Sequence, residues 1–393
     1  MLNTLNDVLN NVDNFIWGMP LIILILFTGI LLTVRLRGLQ VRHLGKALHY
    51  VFHNEDDGEG EVTSFGALCT ALSATIGTGN IVGCATAIVA GGPGALFWMW
   101  LAAFFGMATK YAEGMLAVKY RVIAEDGHAL GGPFYYIEKG MGKNFKWLAK
   151  LFCVFGTMVG LFGIGTFTQV NGITSAVNNF FDPTNVHTIS LFGMNYSISV
   201  VVAGIIVTIC AGLVIIGGIK RISKVSEVIV PFMAVTYIGV CLIIVFTHLP
   251  QVPAAFAEIV QSAFGLKAVA GGAIGAMTVA MQKGIARGIF SNEAGLGSAP
   301  IAAAAAQTNE PVRQGLVSMT GTFIDTIIVC TMTGLAIVMT GAWDMGLEGV
   351  AVTTKAFALG LPFPAKASAF VLMMCLVFFA FTTILGWAYY SER

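Results

Sequence analysis

The sequence predicts an all-α integral membrane protein, and two observations carry this prediction. Only 10% of the 393 residues are charged and 56% are hydrophobic, whereas a soluble globular protein has about 25% charged residues. Uncharged runs of about 20 residues, enough to cross a bilayer as a helix, recur along the chain. A soluble enzyme is therefore disfavoured. The net charge of +1 also argues against a nucleic-acid partner, which needs a concentrated positive face.

Nine apolar runs predict nine membrane spans, because a helix rises about 1.5 Å per residue and the hydrocarbon core is about 30 Å thick. The first run has no basic segment before it and no small-residue cleavage site, so it is a retained span and not a signal peptide. The predicted limits are residues 14–36, 62–90, 94–120, 147–178, 197–218, 225–248, 276–307, 312–341 and 364–390.

Basic residues predict the orientation of these spans, since short cytoplasmic loops retain Lys and Arg. With the N-terminus outside, 15 of the 21 Lys and Arg residues face the cytoplasm, and Lys110 lies within the third span. Glu113 is the expected partner of Lys110 at helical spacing. We therefore expect a multi-pass protein of the cell membrane, embedded in the lipid bilayer, with its N-terminus outside.

Three connecting segments have compositions that predict ordered structure. Residues 250–275 and 342–363, on the predicted outer side, are apolar but interrupted by Pro, Gly and charge, so we expect them to fold back over the outer face. Residues 122–146 are rich in glycine and aromatic residues and predict a re-entrant or interfacial loop. The sequence ends at Arg393 just as the ninth span reaches the cytoplasm, and we expect it to be part of a longer protein.

The seven cysteines and six histidines form no metal or catalytic pattern. The cysteines lack CxxC spacing and lie in or beside apolar runs, which is typical of small core residues. The sequence has no HExxH, GxSxG or P-loop spacing. We expect no enzyme activity and no cofactor, and the sequence indicates no obligate protein partner.

The second span contains a predicted break near its middle. In the segment SATIGTGNIVG, the residues from Gly77 to Asn80 combine glycines with small polar neighbours, which are poor helix formers. A helix unwinds in lipid only where its freed backbone lines a cavity or meets a ligand. Close helix packing through Gly79 and Gly83 is the alternative explanation.

The seventh span repeats this feature in the segment FSNEAGLGSAP, residues 290–300, which brings Glu293 into the membrane. Intramembrane carboxylates are costly and usually functional. Packing through Gly295 and Gly297 is again the alternative. The two breaks lie five helices apart in spans of opposite direction, which is the arrangement of inverted five-helix repeats in secondary transporters.

Three motifs resemble those of one known family. The segment GGPGALFWMWLAAFFG, residues 91–106, resembles the signature of the sodium:alanine symporters, which are alanine or glycine:cation symporters. ATIGTGNIVG and FSNEAGLGSAP resemble the other motifs of that family, and the resemblance covers essentially the whole chain. It implies a leucine-transporter-type fold of inverted five-helix repeats with one extra N-terminal helix. The last two core helices of that fold are absent from this chain.

The same resemblance implies one transmembrane transport domain over residues 1–393. Residues 1–61 are then the extra N-terminal span and an inner loop. Residues 62–248 are the first inverted repeat, and residues 249–393 are an incomplete second repeat.

The resemblance also implies a substrate site at the two breaks, because an amino-acid zwitterion needs donors for its carboxylate and acceptors for its ammonium. By similarity, the amides of Thr78 and Gly79 serve the carboxylate. Carbonyls around Phe290 and Ser291 serve the ammonium. Asn80 is either a substrate contact or a tie for the broken backbone.

Three larger side chains extend this predicted site. Gln169 is a long polar residue in the small-residue fourth span, and it contacts either the substrate or another helix. Phe290 by similarity covers the ligand. Trp387 lies one turn after Thr383 on the same helix face, and with Phe290 it is expected to close a small cavity. Ordinary packing is the alternative for both rings.

Sodium is the expected coupling ion, and as a hard cation it prefers oxygen ligands. By similarity to the fold, the Phe379 carbonyl and the hydroxyls of Thr382 and Thr383 form one half of its site. The carbonyls of Ser73 and Ile76 complete it. Alternatively, both threonines donate back to carbonyls one turn earlier in their own helix.

The preferred function is sodium-coupled symport of small neutral amino acids, alanine or glycine, by alternating access. The rival is a proton-coupled amino-acid carrier in which Asp325, within the eighth span, or Glu293 titrates. Asp325 is otherwise a structural or gating ion-pair partner. An ion channel fits less well, because a channel needs a continuous lined pore.

Overall fold

The structure is a computed structural model that describes residues 2–53, 58–191, 193–266 and 272–393. Helices form most of it, as the sequence predicts. In chain order they are α1 (Leu2–Ile16), α2 (Met19–Arg35), α3 (Leu39–Arg42), α4 (Leu44–Phe52), α5 (Ser64–Thr75), α6 (Cys84–Gly91), α7 (Gly94–Tyr120), α8 (Pro133–Met141), α9 (Lys146–Leu161), α10 (Ile164–Phe181), α11 (Ile198–Ile215), α12 (Gly218–Thr247), α13 (Val252–Ala263), α14 (Ala273–Asn292), α15 (Ala299–Ala303), α16 (Pro311–Thr322), α17 (Thr331–Thr340), α18 (Val350–Gly360) and α19 (Ala365–Glu392). Short 3₁₀ turns are Lys143–Phe145, Leu249–Gln251 and Ala342–Asp344, and π-helical segments are Gly79–Gly83 and Phe323–Cys330.

Proline, glycine and capping residues set several helix boundaries. α8 begins at Pro133, where the missing amide would have no helical partner in any case. The Thr63 hydroxyl caps α5 by accepting a hydrogen bond from Gly66 N at 2.9 Å. Gly163, with φ +60°, separates α9 from α10. The predicted fourth span, residues 147–178, is therefore two consecutive helices.

Fewer helices than predicted are both long and apolar enough to cross a membrane. Among the described residues five qualify, or six if α5 and the helix beyond its 52° bend form one span. α2 has only 17 residues, and Lys110, Glu113 and Lys119 lower the mean hydropathy of the 27-residue α7. The structure is nevertheless that of a helical, multi-pass membrane protein.

Two short β-hairpins depart from the all-α prediction. β1 (Val122–Ile123) pairs with β2 (Ala129–Leu130), and β3 (Thr188–Leu191) pairs with β4 (Met194–Ser197), both antiparallel. The first hairpin leads into α8, so the segment 122–146 is ordered as the sequence predicts. The sequence does not predict hairpins this short, because neither contains a long alternation of apolar and polar residues.

The two segments predicted to fold back contact the helical bundle. Segment 250–275 contains α13, whose Ala263 carbonyl accepts a hydrogen bond from Trp98 Nε1 in α7 at 3.1 Å. Residues 267–271 of this segment lie outside the described residues. Segment 342–363 contains α18, whose Thr353 hydroxyl donates to the Ile81 carbonyl at 3.2 Å. α18 therefore lies against the first predicted break.

The second and seventh predicted spans pass each other in opposite directions. At one end of the pair, Val62 forms a short β-bridge with Ala306. At the other end, a Cβ added at Gly91 would lie 3.1 Å from Ala280 Cα. The start of one span therefore meets the end of the other, and both breaks lie between these two contacts.

Large buried side chains hold the surrounding helices together. Tyr237 of α12 is fully buried, and its hydroxyl lies 2.7 Å from the Thr333 hydroxyl in α17. Its ring lies against Phe357 of α18 and Phe379 of α19, with ring centroids 5.9 and 5.1 Å apart. Phe379 and Ile76 belong to the same buried cluster. This core therefore brings α19 to the first break.

Candidate functional site

The chain leaves the helical conformation at Ile76, in the middle of the second predicted span. Ile76 is extended, with φ −77° and ψ 93°, directly after α5 ends. Gly77 N donates to Asn80 Oδ1 at 2.9 Å, and Thr78 N donates to Gln169 Oε1 at 3.1 Å. Side-chain amides thus satisfy backbone groups that a continuous helix would have paired internally.

These contacts bear on both amide residues of the predicted substrate site. Asn80 ties the broken backbone, which is one of its two roles expected from the sequence. Gln169 of α10 likewise meets broken backbone, and it takes the Thr78 amide that the resemblance assigns to a substrate carboxylate. The substrate roles of Thr78, Asn80 and Gln169 stay predictions.

The two glycines of the first break have different surroundings. A Cβ at Gly77 would overlap Thr383 Oγ1 and lie 3.1 Å from Gln169 Oε1. A Cβ at Gly79 would lie 3.7 Å from Ser291 Cα and from Ser291 Oγ, which is an ordinary contact. Gly77 is therefore the tightly packed position, whereas Gly79 faces Ser291 in the last turn of α14, beside the second break.

The second break begins later than the sequence predicts. α14 continues through Phe290 and Ser291 to Asn292, and the non-helical stretch is residues 293–298. The carbonyls of Phe290 and Ser291 are nevertheless among the last four of α14, which have no partner further along the helix. They can still accept hydrogen bonds from a ligand.

The backbone of the second break is left-handed at three positions. Glu293, Gly295 and Gly297 have φ values of +56°, +90° and +79°, a region that glycine adopts readily and other residues rarely. The Glu293 carboxylate accepts a hydrogen bond from Ser298 Oγ at 2.6 Å, which joins the first and last residues of the break. The following α15 has only five residues, shorter than the half-helix expected up to residue 307.

Asp325 connects the two breaks. It is fully buried in the π-helical segment between α16 and α17. Its Oδ1 accepts from Asn80 Nδ2 at 2.8 Å, and its Oδ2 accepts from Ser291 Oγ at 2.9 Å and from Thr326 Oγ1 at 2.7 Å. One carboxylate thereby contacts both broken spans through neutral donors. Short π-helical insertions of this kind are frequent at functional sites.

Oxygen atoms of three predicted sodium ligands converge at the first break. Thr383 Oγ1 lies 2.9 Å from Phe379 O in its own helix and 3.3 Å from Ile76 O. Thr382 Oγ1 also donates to Phe379 O, at 3.0 Å, and its contact outside α19 is Met233 Sδ at 3.4 Å. Both threonines thus bond back within α19, and Thr383 also reaches the broken span.

Ser73, the remaining predicted ligand, is fully buried one turn before the break, and its hydroxyl donates to Thr70 O at 2.7 Å. Within the described residues, no group of three or more His, Cys, Asp or Glu side chains could hold a metal ion. The predicted ion site consists instead of neutral hydroxyls and carbonyls, which suit sodium.

Phe290 and Trp387 contact different elements, which corrects the expectation that they meet over one cavity. Phe290 is 39% exposed and lies edge-on to Trp17, with centroids 6.3 Å apart, and 5.9 Å from the Arg287 guanidinium. Trp387 packs against α10, where a Cβ at Gly165 would overlap its ring. The sequence places each ring on a helix face but does not show which helix lies opposite it.

Two buried charged residues of α7 contact the second break, a role that the sequence does not predict. Lys110 Nζ donates to Asn292 O at 2.8 Å. Glu113 Oε1 and Oε2 accept from Gly297 N and Gly295 N at 3.2 and 3.4 Å. The sequence predicts that Lys110 and Glu113 partner each other, but each has its hydrogen bonds in the break. The presence of two charges in an apolar span is the one sequence feature that indicates a functional role for them.

In this multi-pass helical protein, two antiparallel, interrupted helices bring polar groups together inside the bundle. This is the construction of a membrane transporter. The sequence profile of the sodium:alanine symporter family matches residues 2–393. The chain belongs to this family, whose members are transporters and not enzymes.

Individual relatives agree with this assignment. An uncharacterized transporter of Haemophilus influenzae is 57% identical over 392 residues, which cover 99% of this chain and 82% of the relative. The sodium/alanine symporter AgcS of Methanococcus maripaludis is 45% identical, with 98% and 82% covered. A relative in Bacillus subtilis named as a probable sodium/glutamine symporter, GlnT, is 40% identical, with 100% and 77% covered.

Proposed function

We propose that the protein is a sodium-coupled symporter of small neutral amino acids, alanine or glycine, working by alternating access. The observation that carries this proposal is the meeting of the two broken spans, with Gly79 facing Ser291 and Asp325 bonded to both. Opposed helix ends supply amides and carbonyls together, which are the groups that bind a zwitterion. The name of the AgcS relative supports alanine and sodium.

The proposed substrate site consists of groups from both breaks. In this proposal the amide of Gly79 serves the carboxylate, Thr78 and Asn80 shape the backbone beside it, and the terminal carbonyls of α14 at Phe290 and Ser291 serve the ammonium. Gln169 orients the first break through its bond to Thr78 N. Trp387 bounds the substrate's side chain in this proposal, whereas Phe290 contributes only its backbone carbonyl.

The proposed sodium site lies where α19 meets the first break. Thr383 Oγ1 and the carbonyls of Phe379 and Ile76 form its centre, supported by the distances of 2.9 and 3.3 Å among them. Thr382 and the Ser73 carbonyl complete the set. An ion shared by α5 and α19 would link closure of the first break to sodium.

For the fold we propose leucine-transporter-type inverted repeats in the cell membrane, with the N-terminus outside. Residues 1–61 precede the repeats, residues 62–248 form the first and residues 249–393 form part of the second. The antiparallel passage of the two broken spans supports the inversion. The excess of Lys and Arg on one side supports the orientation.

Uptake of labelled alanine into liposomes tests this function. With an inward sodium gradient we expect accumulation that stops when potassium replaces sodium, and competition by unlabelled glycine. Glutamine serves as the competitor that separates this substrate range from that named for GlnT. Sodium-independent uptake that follows an inward pH gradient would contradict sodium coupling.

Proton coupling is the second candidate, and the position of Asp325 is the observation that favours it. A fully buried carboxylate that bridges both broken spans can link a proton to their relative position. Glu293 is the other candidate group. The same liposomes with imposed pH gradients decide between the two ions.

A further inference from the structure

Two charged side chains of α7 lie on opposite sides of the second break, one turn apart. Lys110 and Glu113 are both buried, with 3% and 8% of their surface exposed. Buried charges inside a membrane span are costly unless they are compensated. Their surroundings must therefore supply opposite charge or oriented dipoles.

Lys110 faces the end of a helix. Its ammonium donates to the carbonyl of Asn292, the last residue of α14, at 2.8 Å. The last four carbonyls of a helix lack partners and carry the negative end of its dipole. A cation is therefore stabilised at this position.

Glu113 faces backbone amides on the far side of the break. Its two carboxylate oxygens accept from Gly295 N at 3.4 Å and Gly297 N at 3.2 Å. Both glycines have positive φ values, so the backbone is not helical where their amides meet the carboxylate. A carboxylate with two oxygens can hold both amides at once.

From these contacts we infer that Lys110 and Glu113 are a positioning pair that holds the second break open. The Lys110 ammonium binds the carbonyl that precedes the break, and the Glu113 carboxylate binds the amides within it. Each charge therefore meets backbone groups of the opposite partial charge. The pair acts on the substrate through Phe290 and Ser291, which precede Asn292 in the same helical turn. The expected effect of the pair on transport rests on the proposed function. Its expected effect on the backbone does not.

Hydrogen exchange measured by mass spectrometry tests the backbone effect without any substrate. In the Glu113→Gln variant, the amides of residues 293–298 should exchange about 10-fold faster or more, because one charged acceptor is lost. Other segments should keep the parental exchange rate. Lys119→Met is the matched control, since Lys119 belongs to the same helix but is exposed and lies over Tyr120. Parental exchange in residues 293–298 of Glu113→Gln would overturn the inference.

Alanine binding in saturating sodium tests the positioning effect. Lys110→Met and Glu113→Gln should each raise the Kd for alanine about 10-fold or more, and Lys110→Arg, which keeps a cationic donor, should recover part of this loss. Lys119→Met should bind as the parental protein does. If the parental protein itself fails to bind alanine, the proposed function fails, while hydrogen exchange still decides on the pair.

Exchanging the two charges separates the positioning pair from a simple ion pair. An ion pair survives Lys110→Glu combined with Glu113→Lys, so binding and exchange would return toward parental values. The positioning pair does not survive it, because each charge then meets backbone of its own sign, and the loss should be at least as large as in either single variant.

If the exchanged variant does not fold, Lys110→Met with Glu113→Gln decides: additive losses support the positioning pair, and a double loss no larger than the greater single loss overturns it.

Discussion

Asn80 Nδ2 lies 2.8 Å from Asp325 Oδ1, although 245 residues separate the two in the sequence. The same Asn80 side chain accepts from Gly77 N at 2.9 Å, so it is bonded to the first break and to the eighth span at once. Asp325 in turn accepts from Ser291 beside the second break. The two breaks are thus coupled through two side chains, and movement of one span must be transmitted to the other or break a buried hydrogen bond.

The first prediction concerns this coupling. Asp325→Asn keeps the shape of the side chain but turns an NH₂ group toward a donor, since Asn80, Ser291 and Thr326 all donate to the carboxylate. A buried donor left without an acceptor costs about 1–3 kcal/mol. We expect alanine affinity in detergent at saturating sodium to fall about 10-fold or more.

The control for this variant is Asp344→Asn, because Asp344 is an exposed aspartate in the turn after α17. It should bind alanine as the parental protein does. Parental alanine affinity in Asp325→Asn would remove Asp325 from the proposed site. Loss of pH-driven uptake with intact sodium-driven uptake would instead identify Asp325 as a proton-coupling group.

The two glycines of the first break give a second prediction. Gly77→Ala should destabilise the protein by about 1–3 kcal/mol, since its Cβ would overlap Thr383 Oγ1 and overpacking has costs of this size. Gly79→Ala should keep the parental melting temperature in detergent, because its Cβ makes only ordinary contacts with Ser291. It should nevertheless lose alanine binding, because the methyl group would project toward the substrate. Binding and thermal unfolding of both variants check this, and full binding by Gly79→Ala would show that the substrate lies elsewhere.

The sequence predicts the positions of both breaks better than it predicts their partners. Glycine next to small polar residues is a local signal, but the interruption begins one residue earlier than predicted: Ile76 and Gly77 are non-helical, and a π-helical turn begins at Gly79. The contacts of Lys110 and Asp325 depend on helices far away in the chain, so their local sequence shows only that an expensive charge is present. The second break begins after Asn292 instead of near Phe290, because the glycines that permit positive φ follow at Gly295 and Gly297.

A third prediction concerns the size of the substrate pocket. Trp387 lies one turn after Thr383 and fills the space beside Gly165, whereas Phe290 lies against Trp17. Trp387→Ala should therefore admit valine or leucine, gaining about 1–3 kcal/mol for larger side chains relative to alanine. Phe290→Ala should leave the substrate range unchanged.

Competition of unlabelled valine and leucine with labelled alanine measures this pocket. An unchanged range in Trp387→Ala would place the pocket wall elsewhere. A widened range in Phe290→Ala alone would return that role to the residue that the sequence resemblance favours.

The last prediction concerns sodium and compares adjacent threonines. Thr383→Val replaces a hydroxyl that lies 3.3 Å from the Ile76 carbonyl with a methyl group of similar size, so it removes an oxygen at the junction of α19 and the first break. Thr382→Val is the matched variant, since the Thr382 hydroxyl reaches Met233 Sδ outside its own helix. Sodium affinity should fall about 10-fold or more in Thr383→Val and less in Thr382→Val.

Linkage separates loss of the ion from loss of the substrate in these variants. An ion and a substrate that favour the same conformation strengthen each other by equal factors. The alanine affinity of Thr383→Val should therefore drop at limiting sodium and recover in part at saturating sodium, in titrations of labelled alanine at several sodium concentrations. Equal losses in both variants would support two threonine ligands, as the family resemblance implies. Parental sodium dependence in both would mean that the two hydroxyls form hydrogen bonds only within α19. Proton coupling through Asp325 would then replace sodium coupling as the proposal.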